Sequence, residues 1–157
     1  MSKVTFRHCE PVRVVALRHK GEYQTINTTF EHLAGWAEAQ DLLNGNGVRC
    51  FAIYYDDPME KPAAELNSDA CLSVPEGFHP KAPYNITHTP GGRCAELIHV
   101  GPYADLPKAW DWLYTEWLPQ SGETPADQPP IEEYLNDARI TPSAELETAI
   151  RIPLREK

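Results

Sequence analysis

A segment reading Pro-x-Ala-Glu-Leu occurs twice in this chain, as Pro62, Ala64, Glu65, Leu66 and as Pro142, Ala144, Glu145, Leu146, at an offset of 80 residues. The same offset pairs Arg13 with Arg93, Leu17 with Leu97, His19 with His99, Gly21 with Gly101, Tyr23 with Tyr103, Leu33 with Leu113, Tyr54 with Tyr134 and Asp57 with Asp137. About a dozen identities at one offset, without an insertion, exceed the about four or five expected of unrelated halves. The unit is too long for a solenoid repeat. It predicts two homologous modules about a pseudo-twofold axis, over residues 12–75 and 92–154, joined by a connector at 76–91, with the crevice between them as a ligand site.

Each module reads as strand, helix, strand, strand. In the first, Val12 to Lys20 is rich in β-branched residues and closes at Gly21. From Thr25 to about Leu43, Ile26, Phe30, Leu33, Trp36 and Ala37 fall near helical spacing, with Thr28 or Thr29 as an inner cap and the Asn44-Gly45-Asn46-Gly47 cluster as the stop. Arg49 to Asp56 and Ala70 to Val74 complete it as strands. In the second, Arg93 to Val100 is a strand, Leu106 to Leu118 a helix, Ile131 to Asn136 a strand and Glu147 to Pro153 the last strand, with a Pro- and Gly-rich loop over residues 119–130. The expected class is α+β: an antiparallel sheet with helices on one face and a central pocket.

The bulk charge narrows the choice of ligand. With 14 Lys plus Arg against 23 Asp plus Glu, the chain carries a formal charge of -9, which opposes phosphate backbones, so no direct nucleic-acid binding is expected. Cys9, Cys50, Cys71 and Cys94 show no Cys-x-x-Cys spacing and no zinc pattern, and they read as reduced, mostly buried small apolar residues. The N-terminal residues lack the apolar run of a signal peptide and no segment is long enough to span a bilayer, so the expectation is a cytoplasmic protein without a membrane partner. No Gly-x-Ser-x-Gly or Gly-rich phosphate loop is present, and neither a metal nor a cofactor is expected.

Several side chains are candidates for chemistry. Strand alternation places Glu132, Tyr134 and Asn136 on one face and Ile131, Glu133 and Leu135 on the other, and the repeat sets Ala52 against Glu132 while keeping Tyr54 and Tyr134 in register. A face on which that tyrosine recurs suits the crevice, with Glu132 beside a phenol; the bland alternative is two solvated glutamates at a sheet edge. Glu96 lies in the apolar run Cys94-Ala95-Glu96-Leu97-Ile98. If it shared a cavity with Glu132, repulsion and burial would lift one carboxyl toward neutrality; otherwise it pairs with Arg or Lys on a solvated face. Trp110, Tyr114 and Trp117 form a helical stripe, with Trp112 off it. A stripe of this kind is ordinary core, yet a carboxylate within an aromatic wall also suits a flat organic cation. His19 and His99, each two residues before a Gly-x-Tyr turn, read as turn residues rather than ligands.

His99-Val100-Gly101-Pro102-Tyr103, Trp117-Leu118-Pro119-Gln120-Ser121-Gly122, Glu132-Glu133-Tyr134-Leu135-Asn136-Asp137 and Ile53-Tyr54-Tyr55-Asp56-Asp57-Pro58 together resemble the GyrI-like family, from about Val12 to Leu154. That family comprises stand-alone DNA gyrase inhibitory proteins and the effector-binding domains of AraC-type and MerR-type multidrug regulators. The resemblance implies a tandem β-α-β-β duplication around a pocket for aromatic or cationic small molecules, with Glu132 at its centre and Tyr134 as companion. Tyr54, Glu96, Trp110, Tyr114 and Trp117 are the further expected lining residues. Cys94 stands where the family commonly has Tyr, and Glu96 where it commonly has an aliphatic residue. About eleven residues before the first strand are too few for a helix-turn-helix, so the chain is not expected to be a DNA-binding regulator itself. Three functions follow from the resemblance: sequestration of drugs or toxins for resistance; hydrolysis of electrophilic, cyclopropane-type DNA-alkylating compounds by Glu132 and Tyr134; and binding of DNA gyrase.

Overall fold

The computed structural model describes residues 3–45 and 47–157; Met1, Ser2 and Asn46, the last a member of the expected helix stop, lie outside the described residues. In chain order the elements are β1 (Val4–Cys9), β2 (Arg13–Lys20), α1 (Ile26–Ala39), β3 (Cys50–Tyr54), β4 (Asn67–Ser73), β5 (Tyr84–His88), β6 (Gly92–Val100), α2 (Leu106–Trp112), a π-turn (Leu113–Trp117), α3 (Leu118–Ser121), β7 (Ile131–Tyr134) and β8 (Glu147–Pro153). Short 3₁₀ turns at Tyr23–Thr25 and Tyr103–Asp105 lead into the helices, and others at Ala63–Glu65 and Ser143–Glu145 lead into β4 and β8. The α+β class holds, and the paired strands run antiparallel. The chain divides into two compact units: Pro11–Thr89, and the N-terminal residues through Glu10 together with Pro90–Lys157.

In the unit Pro11–Thr89, β4 pairs with both β3 and β2, and β2 also pairs with β5. Helix α1 lays Leu33 and Ala37 on Val15, Ala70, Leu72 and Val74, so one apolar stripe meets one face of the alternating strands. The helix is shorter than its apolar periodicity suggests. It begins at Ile26, with Thr29 engaged by His19 instead of capping, and it ends at Ala39 because Asp41 takes a left-handed φ of 59°. The Leu42 amide then donates back to the Ala37 carbonyl at 2.9 Å, and Leu42 and Leu43 fold onto the core, as in a Schellman ending.

Strand β5 lies inside the segment expected to be a connector. Its Tyr84 and Ile86 face the core, and the Trp36 ring stacks on Tyr84 with centroids 3.9 Å apart. The flanking prolines and glycines mask this short alternation in the sequence, and it forms because Trp36 offers an apolar plane to cover. Thr89 closes the unit, its hydroxyl accepting from the Val12 amide at 2.8 Å.

In the second unit β6 pairs with both β1 and β8, and β8 also pairs with β7. Ala95, Leu97, Ile150 and Ile152 present one face to Leu106 and Leu113. Strand β1 is another unanticipated element: Val4 and Phe6 alternate with Thr5 and Arg7, but the run is short and largely exposed. It is held by its ladder to β6, and Val4 reaches the core. The second helix also outruns the expected end at Leu118, because a proline inside it is accommodated and not obeyed as a stop. Pro119 has no amide to donate to the preceding turn, and the wider π-turn at Leu113–Trp117 makes room for its ring. Gly122, at φ 74°, ends the run in the left-handed conformation.

The repeated arginine performs the same task in each unit, fixing a loop. Arg13 donates to the Pro75 and Phe78 carbonyls at 2.8 and 3.0 Å. Arg93 grips both Glu123 oxygens at 2.6 and 2.9 Å, and this bidentate bond, with help from Lys157, holds the Glu123 carboxyl down to about 2.

Candidate functional site

The register of β7 against β8 sets Glu132 opposite Ile150, on the face that the helix covers. Glu132 is 3% exposed. A buried carboxylate needs hydrogen-bond donors, and two converge on it: the Trp110 indole Nε1 donates to Oε2 at 2.5 Å, and the Tyr134 hydroxyl donates to Oε1 at 2.7 Å. The two neighbours arrive by different routes. Tyr134 lies two residues along the same strand, while Trp110 comes from the middle of α2.

Around this triad the aromatic wall continues. The Tyr103 ring meets Tyr134 edge-on with centroids 5.4 Å apart, and Tyr114, one helical turn beyond Trp110, lies parallel to it at 6.0 Å. Tyr114 is 40% exposed, so the wall runs from a buried carboxylate to solvent. Glu132, Tyr134, Trp110 and Tyr114 are thus brought together. Tyr103 joins them without having been singled out as a site residue, although its repetition of Tyr23 was available as a signal.

Tyr54 occupies the corresponding position in the other unit, where Tyr23 packs edge-on against it at 4.7 Å. There Ala52 fills the place of Glu132, fully buried, and Phe30 the place of Trp110. The aromatic frame therefore recurs while the carboxylate and the indole donor occur in one unit. Trp117, the third member of the expected stripe, takes a different aromatic neighbour. At the end of the π-turn it still packs on the core that Trp110 covers, but its ring meets Phe6 of β1 at 6.1 Å, and with Trp112, Glu116, Gln120 and Ser121 it lines a shallow surface recess.

Glu96 does not share a cavity with Glu132. It stands opposite Arg151 in the β6–β8 ladder, whereas Ile150 on β8 marks the face of Glu132, so alternation puts the two carboxylates on opposite faces of the strands. Although only 7% exposed, Glu96 accepts at Oε2 from Arg7 Nη1 and Arg151 Nε, each at 2.8 Å, and Arg151 Nη1 donates to Glu133 Oε1 at 2.8 Å. Burial disfavours the charged Arg151 guanidinium, but the bonds to Glu96 and Glu133 outweigh it and raise the pKa. The expectation of pairing with arginine holds, that of a solvated face does not, and Arg151 is the partner that sequence reasoning missed. Its signal was a lone arginine within the apolar run Ala149-Ile150-Arg151-Ile152.

The histidines serve the turns. His19 joins Thr29 Oγ1 at 2.7 Å through Nδ1 and the Glu22 carbonyl at 2.8 Å through Nε2, tying the end of β2 to α1, and His99 Nε2 lies 3.3 Å from the Pro102 carbonyl. Among the described residues no group of three or more His, Cys, Asp and Glu side chains is placed to hold a metal ion. Nor, among the described residues, is any helix long and apolar enough to cross a membrane.

Comparison with known proteins agrees with this architecture. The GyrI-like small molecule binding domain matches residues 2–155. A Yersinia enterocolitica protein named DNA gyrase inhibitor is 32% identical over 140 residues, 83% of this chain and 84% of its own length. Among solved structures, the EcmrR C-terminal domain superposes with a TM-score of 0.79 at 19% identity, covering 100% of this chain and 99% of that one. SAV2435 bound to tetraphenylphosphonium gives 0.67 at 13% identity, covering 98% and 94%. A hydrolase from Listeria innocua gives 0.63 at 14% identity, covering 98% and 92%. With a family match running over nearly its whole length, the chain belongs to the GyrI-like small-molecule-binding domain family.

Proposed function

We propose that the chain binds aromatic organic cations at Glu132, serving drug or toxin resistance by sequestration. The observation that carries this reading is the buried carboxylate held between an indole and a phenol at the inner end of an aromatic wall. A carboxylate supplies the charge, Trp110, Tyr114 and Tyr103 supply π-faces, and each such face is worth about 0.5–2 kcal/mol toward a desolvated cation. Because Glu132 is already hydrogen-bonded, a cation reaches it by replacing the Trp110 donor at Oε2. The neighbour bound to tetraphenylphosphonium supports this ligand class by analogy.

A second reading rests on the 2.7 Å contact between Tyr134 and Glu132. In it Glu132 orients a water for attack on a strained electrophilic ring and Tyr134 donates to the oxygen or carbon leaving group as charge develops. The Listeria innocua neighbour described as a hydrolase favours it. For a protein partner, the name carried by the curated relatives supports DNA gyrase.

One experiment separates the small-molecule readings. Wild type and Glu132→Gln are titrated calorimetrically with tetraphenylphosphonium and with neutral triphenylphosphine oxide, and both proteins are incubated with a cyclopropane-bearing alkylator. Loss of a buried charge pairing worth about 1.5–3 kcal/mol weakens the cation by about 10- to 150-fold and leaves the neutral compound nearly unchanged. Equal weakening of both compounds would refute the role of Glu132 as counter-charge. Turnover of the alkylator by wild type but not by Glu132→Gln would establish the hydrolase instead.

A further inference from the structure

Two thiols of the second unit meet on the face away from Glu132. Cys9 ends β1 and stands opposite Gly92, while Cys94 on β6 stands opposite Arg7, so the two are diagonal neighbours across one antiparallel ladder. Their sulfurs are 2.7 Å apart, and both cysteines are free. A diagonal pair is ordinarily about 7–8 Å apart at Cα and poorly placed for bonding. Here both side chains lean across the diagonal beside the start of β6, where Gly92 takes a φ of 99°. Cys9 is half-buried and within reach of a reagent, whereas Cys94 is buried. Burial, followed by the bond from Cys9, pushes the Cys94 thiol up to about 12, so Cys94 keeps its proton while Cys9 meets the solvent.

We propose that Cys9 and Cys94 form a redox-modification site that low-molecular-weight disulfides oxidise to an intrachain disulfide linking β1 to β6. The Cys9 sulfur attacks one sulfur of the reagent, forming a mixed disulfide and releasing one thiol. Cys94 then loses its proton to solvent and its sulfur attacks Cys9 Sγ, and the second departing thiolate takes up a proton. Two protein thiols are oxidised, one reagent disulfide is reduced to two thiols, and no other reactant is consumed. The covalent link would pin the strand that carries Arg7, a partner of Glu96, and Phe6, which faces Trp117. Cys50 and Cys71 stand in the other unit, at Leu72 and Phe51 in the β3–β4 ladder, and are the internal control.

The full chain is incubated with oxidised glutathione, alkylated and analysed by intact mass and peptide mapping. The expected result is a loss of two hydrogens per chain, a cross-link joining the peptide of Cys9 to that of Cys94, and slower amide hydrogen exchange across residues 4–9. Cys94→Ser is expected to retain one glutathione on Cys9, trapping the first step. A wild-type chain that keeps both thiols alkylatable, that stalls with glutathione on Cys9, or that cross-links through Cys50 or Cys71 would overturn the proposal.

Discussion

Replacing Trp110 by phenylalanine keeps a ring against the core while deleting the indole N–H that donates to Glu132 Oε2 at 2.5 Å. If a cation reaches Glu132 by displacing that donor, the wild-type protein gives up a hydrogen bond to a charged group on binding, worth about 1.5–3 kcal/mol net. Trp110→Phe removes that competition. It also exchanges the best cation–π face for a weaker one, a loss of about 0.5–1 kcal/mol. The balance favours the cation by about 0.5–2.5 kcal/mol, or about 2- to 70-fold in affinity for tetraphenylphosphonium. Calorimetric titration reads this directly, and repeating it in a Glu132→Gln background isolates the coupling between the two residues, because neighbours in one hydrogen-bond network are not additive. The gain is expected to vanish in that background. Weaker binding by Trp110→Phe, by the same factor with and without the carboxylate, would show that the indole acts as a ligand surface and not as a cap, and would refute the displacement argument.

The ion network on the opposite face makes its own prediction. Arg151→Met leaves Glu133 without its guanidinium and Glu96 with Arg7 alone, at a cost of about 3–5 kcal/mol in unfolding free energy measured with urea; pairing it with Glu133→Gln is expected to recover part of the loss, and a change below about 1 kcal/mol would show that the network contributes little. On the gyrase reading proposed above, purified chain is expected to slow supercoiling by DNA gyrase. Undiminished supercoiling at large molar excess of chain would count against that partnership.

Much of the architecture was legible because alternation and helical spacing report burial directly. β8 has the bounds read from the sequence, and β2, β3, β6 and β7 differ from them by a few residues at their ends. The candidate carboxylate was legible for a different reason: at the 80-residue offset Ala52 stands against Glu132 while Tyr54 and Tyr134 coincide, which singles out the charge. The misreadings cluster where local pattern is overruled by a distant partner. β1 is short, largely exposed and forms on the ladder of β6, and β5 forms against Trp36. Trp117 stays on the core as its spacing suggests, but the wider turn before Pro119 brings its ring to Phe6 of a distant strand, which helical periodicity does not encode.

Composition and spacing alone determined that this is an acidic α+β chain with a repeated strand–helix pattern, because charge and amphipathic periodicity are local properties of the residues. They also put Glu132 and Tyr134 on one face, since alternation in a strand requires it. Tertiary structure decided which partner each charge would have. Glu96 and Glu132 both sit in apolar company, and neither sequence context says that one would meet two arginines and the other an indole and a phenol. Strand register settles that, because the residue opposite in a ladder comes from a segment tens of positions away. The same register brings Cys9 to Cys94, whose separation of 85 residues hides the pair from any reading along the chain.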